Sequence, residues 1–260
     1  MLSTDELFHF TPKLSHLLSI IEIGFKPKFN LEYAHYSDLF ERPAHLNPVP
    51  MVCFCDIPLH LVDDHSSKYG KYAIGLTKEW GSRNGLSPVI YVHGNSRLAD
   101  SIGAMTNSFS SYKSEMIGSD GDISLAMMIT MYGKGLRAFS CYLKQYENYE
   151  DVEFPFHGKV RRFPKGRFYE EREWRYVPMS VDPMDLFFPI QYFDDVVKTQ
   201  AIQKKLEVHK LGFELTDIRY IIVEQMDEKD QVSDSLRRKY GLSPDETIPF
   251  PIDTMENLTS

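Results

Sequence analysis

The segment Phe168-Tyr169-Glu170-Glu171-Arg172-Glu173-Trp174-Arg175-Tyr176-Val177-Pro178 places three carboxylates and two guanidiniums in a run that turns strand-like from Glu173 onward. Side chains alternate across a strand, so Glu171, Glu173 and Arg175 are expected on one face and Trp174 and Tyr176 on the other. A carboxylate set there can hold a sugar hydroxyl and stabilise the positive charge that develops when a glycosidic bond breaks. A second carboxylate beside it can orient or deprotonate a nucleophile. The plainer alternative is an edge strand held by ion pairs, with Arg175 simply neutralising Glu173.

Three other groups of residues could carry chemistry. His9 sits in Phe8-His9-Phe10-Thr11, at the end of a short strand broken by Pro12. Cys53-Phe54-Cys55, followed by His60, Asp63, Asp64 and His65, invites a zinc site or a metal-dependent nuclease. Against that, there is no second cysteine pair, and Cys53 and Cys55 project from one strand face toward a core. Lys159, Arg161, Arg162, Lys165 and Arg167 form a local basic run, which reads either as a solvated hairpin or as a contact for a pyrophosphate or nucleic-acid backbone.

These groups need a scaffold, and the chain has the means to build one. It has 260 residues, 42% of them hydrophobic and 13% aromatic, enough for a sizeable core. The net charge of −8 argues against sequence-blind binding to nucleic acid by overall attraction. Three cysteines, one necessarily unpaired, fit a reducing compartment. The polar, acidic first residues and the lack of a long apolar run predict a cytoplasmic protein with no membrane segment.

A short strand over residues 7–10 leads into a helix in which Thr11 is the expected cap. Leu14, Leu17, Leu18 and Ile21 follow the helical period, and Gly24 sits at the C-terminal end. Residues 26–50, with four prolines, read as a long loop folded over something. Strands are expected at 51–57, 72–76 and 88–92, with a short helix opened by Thr77. A helical insertion is expected over about 97–149, with Met127, Met128 and Met131 filling its core. After the acidic strand come a helix near 194–210, a strand at 218–223, a helix at 228–240 and a polar tail. This order is α+β. No glycine-rich phosphate loop is present.

The ordered blocks resemble the AbiGi family of bacterial abortive-infection proteins. They are Phe8-His9-Phe10-Thr11, Val52-Cys53-Phe54-Cys55-Asp56-Ile57-Pro58, His65 through Trp80 (with Tyr69-Gly70 and Ile74-Gly75-Leu76), Asn84-Gly85 through Val92, and Glu171 through Pro178. The resemblance implies a role in phage defence as the antitoxin-like half of a two-gene system whose toxin partner is nucleotidyltransferase-like. More distantly, the arrangement is similar to the His-Tyr-Glu pattern of ADP-ribosyltransferases. That likeness implies one domain built on a mainly antiparallel sheet with a helical insertion and a C-terminal helix-strand-helix extension. It also implies NAD as substrate and a protein or nucleic-acid acceptor. It assigns catalytic roles to Glu173, Glu171 and His9, and dinucleotide binding to His9, Thr11, Tyr69 or Tyr72, and Arg175. The sequence lacks the extended loop that presents substrate ahead of Glu171. The enzymatic reading requires His9 and Glu173 to converge on one side of the sheet.

Overall fold

The computed structural model describes residues 4–34, 45–61, 69–117, 123–156, 159–178, 193 and 196–259. His60 is among them, but Asp63, Asp64 and His65 of the proposed metal site lie outside them. Among the described residues no group of three His, Cys, Asp or Glu is placed to hold a metal, and no helix is long and apolar enough to cross a membrane.

The strands, in chain order, are β1 (Glu6–Thr11), β2 (Lys28–Ala34), β3 (His45–Cys55), β4 (Tyr72–Thr77), β5 (Ser87–Pro88), β6 (Ile90–Val92) and β7 (Leu143–Gln145). They continue with β8 (Glu147–Asn148), β9 (Val152–Phe156), β10 (Lys159–Phe163), β11 (Gly166–Arg167), β12 (Glu173–Tyr176), β13 (Ile218–Val223) and β14 (Ile252–Thr254). The main sheet runs β14-β13-β4-β1-β3-β12-β5, with β2 also paired to β3. All its pairings are antiparallel except β13 with β14. The mixed α+β class and the mainly antiparallel sheet agree with expectation.

Each face of the sheet has its own cover. Leu7, Phe54, Ile74, Leu76, Ile221 and Val223 pack with Leu17 and Ile21 of the helix Leu14–Ile23 and with Val232 and Leu236 of the helix Lys229–Tyr240. The alternate residues Phe8, Ala73 and Ile222 point the other way, toward Ile57, Leu59, Met255 and Leu258. All six residues of β4 are buried because it lies between β13 and β1 with both faces covered. Gly75 lets Phe8 lie flat across that strand, since a Cβ there would come within 2.9 Å of the Phe8 ring.

Several elements differ from expectation for local reasons. The stretch read as a loop over 26–50 contains β2 and most of β3, paired from Lys28↔Met51 to Ala34↔His45. In this stretch β3 has a strand on one side only among the described residues, which leaves room for Pro48 and Pro50, whose nitrogens cannot donate to a ladder. The first helix starts at Leu14 after Lys13 with no side-chain cap. Thr11 does not cap it; the threonine ends β1, and its hydroxyl meets His16 Nδ1 at 3.2 Å. Gly24 does close the helix, at a positive φ of 80° that suits glycine, with its N–H on the Ile20 carbonyl.

The helical insertion is a pair of helices, Arg97–Ile117 and Ile123–Ser140, and it ends sooner than expected. Leu143–Gln145 is already a strand, parallel to β6. Met127 and Met131, expected in the core, are exposed. The basic run forms the β9–β10 hairpin and β11, where Arg162 pairs with Glu153 and Arg167 lies near Glu147 and Glu170. Arg161, Arg162, Lys165 and Arg167 are exposed, as in a solvated hairpin.

Candidate functional site: a buried charge network under β12

β12 begins at Glu173, not earlier. Phe168–Glu171 forms a 3-10 turn, and Arg172 adopts a left-handed backbone with φ 47°. The strand alternation expected from Glu171 onward is therefore broken at Arg172. Glu171 nevertheless arrives beside Glu173, because both carboxylates reach one ammonium. Lys144 of β7 donates to Glu173 Oε2 at 2.6 Å and also to Glu171.

Arg175 completes the centre. Its Nε donates to Glu173 Oε1 at 2.6 Å, and Nη2 to Glu173 Oε2 at 3.1 Å. Nη2 also reaches Glu32 Oε2 of β2 at 2.9 Å, and Nη1 donates to the Cys141 carbonyl at 2.8 Å. The Arg175 side chain is 0% exposed and that of Glu173 is 4%. The Glu173–Arg175 pair is thus interior and needs its partners, while Lys144, Glu171 and Glu32 at its margin remain partly exposed. The Glu173 backbone is tied as well, its N–H donating to the Tyr91 hydroxyl at 2.9 Å.

Electrostatics follow from this packing. Burial alone would raise the Glu173 carboxyl; the Arg175 and Lys144 charges, with hydrogen bonds from Arg175 and Cys53, overcome it and pull the group down to about 2. Burial opposes the charge on Lys144, yet Glu173, Glu32 and Glu171 hold its ammonium well above the ordinary lysine value. Burial and then the Glu173 and Glu171 charges push the Cys55 thiol up to about 12. At neutral pH the centre is therefore Glu173 as carboxylate, Lys144 and Arg175 as cations, and Cys53 and Cys55 as thiols.

An acid-stability prediction follows. The folded Glu173 titrates near 2, below its reference value of 4.5, so its contribution is complete above about 4.5 and is lost as pH falls toward 2. On the order of 3 kcal/mol should disappear across that window. Urea unfolding from pH 6 down to pH 2 should show this loss, and Glu173→Gln should flatten the slope. An unchanged slope in the variant would contradict the assignment.

The residues singled out from the sequence divide between the two faces. Glu173 pairs with Cys55 and Arg175 with Cys53, so all four lie on one face. Phe8 pairs with the same Cys55, which puts His9, the next residue, on the other face. There His9 packs against Phe25 and Phe54, with ring centroids 5.1 and 5.5 Å away. Its Nδ1–H donates to the Cys53 carbonyl at 2.8 Å, and burial lowers its pKa, which keeps the ring neutral. Thr11 and Tyr72 are paired and share the face of His9. The Tyr72 hydroxyl donates to Glu228 at 2.8 Å, away from Glu173.

Tyr69 lies with the acidic group: burial, then the Glu171 charge and a hydrogen bond to it, raise its phenol. The structure thus joins Tyr69, Glu171, Glu173 and Arg175, and separates them from His9, Thr11 and Tyr72. The expected meeting of His9 and Glu173 does not occur, because strand alternation sends them to opposite sides with β3 between. The cleft that reaches Glu32 and Lys144 measures about 90 Å³, room for about three waters. The residues assigned to NAD are divided between the two faces, with Tyr69 and Arg175 on one side and His9, Thr11 and Tyr72 on the other.

Sequence reading missed two members of the network. Lys144 lay in a stretch read as helix, and Glu32 in one read as loop. The alternation Asn30-Leu31-Glu32-Tyr33 was the available signal for the second.

A mixed, mainly antiparallel sheet with a largely buried charge centre on one face defines an α+β protein. The family model described as "Putative abortive phage resistance protein AbiGi, antitoxin" matches residues 41–224, and the chain belongs to the AbiGi family. A curated relative, "Abortive phage resistance protein AbiGi" of Lactococcus lactis subsp. cremoris, is 27% identical over 230 residues, which cover 84% of this chain and 89% of the relative. No solved structure matches the chain.

Proposed function

We propose that this chain is the antitoxin component of an abortive-infection system and acts by binding a toxin partner. The observation that carries this reading is the state of Glu173. Both its oxygens are taken by Arg175 and Lys144 in a buried setting, and His9 is on the other face. A carboxylate that must engage a ribose in the transition state needs an approach to substrate, and this one serves to join β12, β7 and, through Arg175, β2. The description of the family as antitoxin supports the same reading.

The test is expression with and without a toxin encoded beside it. The chain alone should leave host growth unchanged, should restore growth when the toxin is co-expressed, and should co-purify with it. Growth arrest by the chain alone, relieved by Glu173→Gln and accompanied by nicotinamide release, would overturn the proposal. That outcome would favour the second reading, an NAD-dependent ADP-ribosyltransferase acting on protein or nucleic acid. The convergence of Tyr69, Glu171 and Glu173 on one face is the observation in its favour.

A further inference from the structure

β3 changes partners along one edge. Cys55 pairs with Phe8 of β1, whereas Met51 pairs with Lys28 of β2. Between them, residues 52–54 have no strand on that side among the described residues, and His9 Nδ1 meets the Cys53 carbonyl there. The sheet is split at this point, and the split opens into a cleft of about 290 Å³.

Its walls come from both half-sheets and the first helix: His9 and Thr11 from β1, His16 from the helix Leu14–Ile23, Lys26 ahead of β2, and Lys28 and Asn30 from β2. Among the described residues none that lines it is acidic, although the chain carries a net charge of −8. Lys26 and Lys28 are exposed and form no ion pair with the described residues. Lys28 is close enough for its charge to act on the His9 ring. With Nδ1 committed to Cys53, the neutral imidazole has Nε2 left as an acceptor.

We propose that this split in the sheet binds a sugar phosphate no larger than a mononucleotide. Two free lysines and an amide suit a phosphate dianion, and a neutral histidine acceptor suits a sugar hydroxyl. The volume lies at the lower limit of the roughly 300–1,000 Å³ usual for small-molecule sites, which fits a phosphorylated sugar and is too small for a dinucleotide. The site is distinct from the Glu173 centre and does not depend on the antitoxin reading.

Calorimetric titration of the full chain with AMP, ribose 5-phosphate, adenosine and inorganic phosphate tests this. AMP and ribose 5-phosphate should bind, and adenosine should not. The double variant Lys26→Glu/Lys28→Glu should weaken binding about tenfold or more. Its unfolding midpoint should stay unchanged because both lysines are at the surface. The control Lys165→Glu/Arg167→Glu, in the basic hairpin, should bind as the wild type does. Three results would each overturn the proposal: no binding of either phosphate ester at millimolar concentration, binding that survives the double charge reversal, or inorganic phosphate binding as tightly as AMP. Equal weakening in the control would also overturn it, by reducing the effect to general attraction.

Discussion

Arg175→Ala should destabilise the protein by about 3–5 kcal/mol, the range for removing one partner of a buried ion pair. The guanidinium touches Glu173, Glu32 and the Cys141 carbonyl. Its loss leaves Lys144 alone against Glu32, Glu171 and Glu173, three carboxylates for one cation. Domains of this kind are stable by about 5–15 kcal/mol in total, so the variant should unfold at much lower denaturant or fail to accumulate. Arg175→Lys should recover little, because an ammonium cannot reproduce the fork that reaches Glu173 and Glu32 at once. Paired replacement by Glu173→Met and Arg175→Met should cost less than the sum of the single changes, since neither then leaves a stranded charge. Urea denaturation of the wild type, Arg175→Ala, Arg175→Lys, the two single methionine variants and the double methionine variant reads this directly. A loss below about 1 kcal/mol in Arg175→Ala would mean that the network is solvated and weak.

Trp80→Ala is expected to cost as much by a different route. Trp80 is wholly buried in the short helix Lys78–Arg83, held by a Thr77 cap that accepts its backbone N–H at 3.1 Å. Its ring packs on Phe54 and Phe25, with centroids 5.4 and 5.9 Å away, and its Nε1–H donates to the Gly212 carbonyl at 2.9 Å. Truncation should remove about 3–5 kcal/mol through lost burial and the cavity left behind, with about 1 kcal/mol more for the orphaned carbonyl. Trp80→Phe should retain most of the packing and lose chiefly the hydrogen bond. Phe25 and Phe54 also pack against His9, so the alanine variant should loosen the cleft between β1 and β2 as well. Thermal unfolding, with tryptophan fluorescence left to Trp174 alone, distinguishes the two variants. Equal stability of Trp80→Ala and the wild type would contradict this account of the core.

How much of this was legible beforehand depended on how local the signal was. The body and Gly24 end of the first helix, the strand β4, the Thr77 cap, and the strand and helix at 218–240 each rest on signals within a few residues and appear where expected, although the first helix starts at Leu14 without the Thr11 cap. β2 and the first part of β3, residues 45–50, were hidden by Pro43, Pro48 and Pro50, which read as loop punctuation, whereas the strand from Met51 onward was expected. Their ladder is long-range, and a strand paired on one side tolerates proline. The acidic strand was recognised, but its chemistry depended on partners 29 and 143 residues away, Lys144 and Glu32. No local pattern records such a pairing. The expected His9–Glu173 dyad failed on a point of parity, since Phe8 and not His9 stands in register with Cys55.

The two ends of the main sheet have a bearing on how the protein survives at high concentration. An open strand edge is a template for adding another chain. Here one border is β5, a two-residue Ser-Pro strand that offers almost no ladder and lacks a donor at Pro88. The other is β14, three residues long and followed at once by the helix Met255–Thr259. It shields Ile221, Ile222 and Val223 of β13, the stretch of backbone best suited to self-templating growth. At these two ends the sheet therefore stops in minimal strands, which limits fibril-like stacking there.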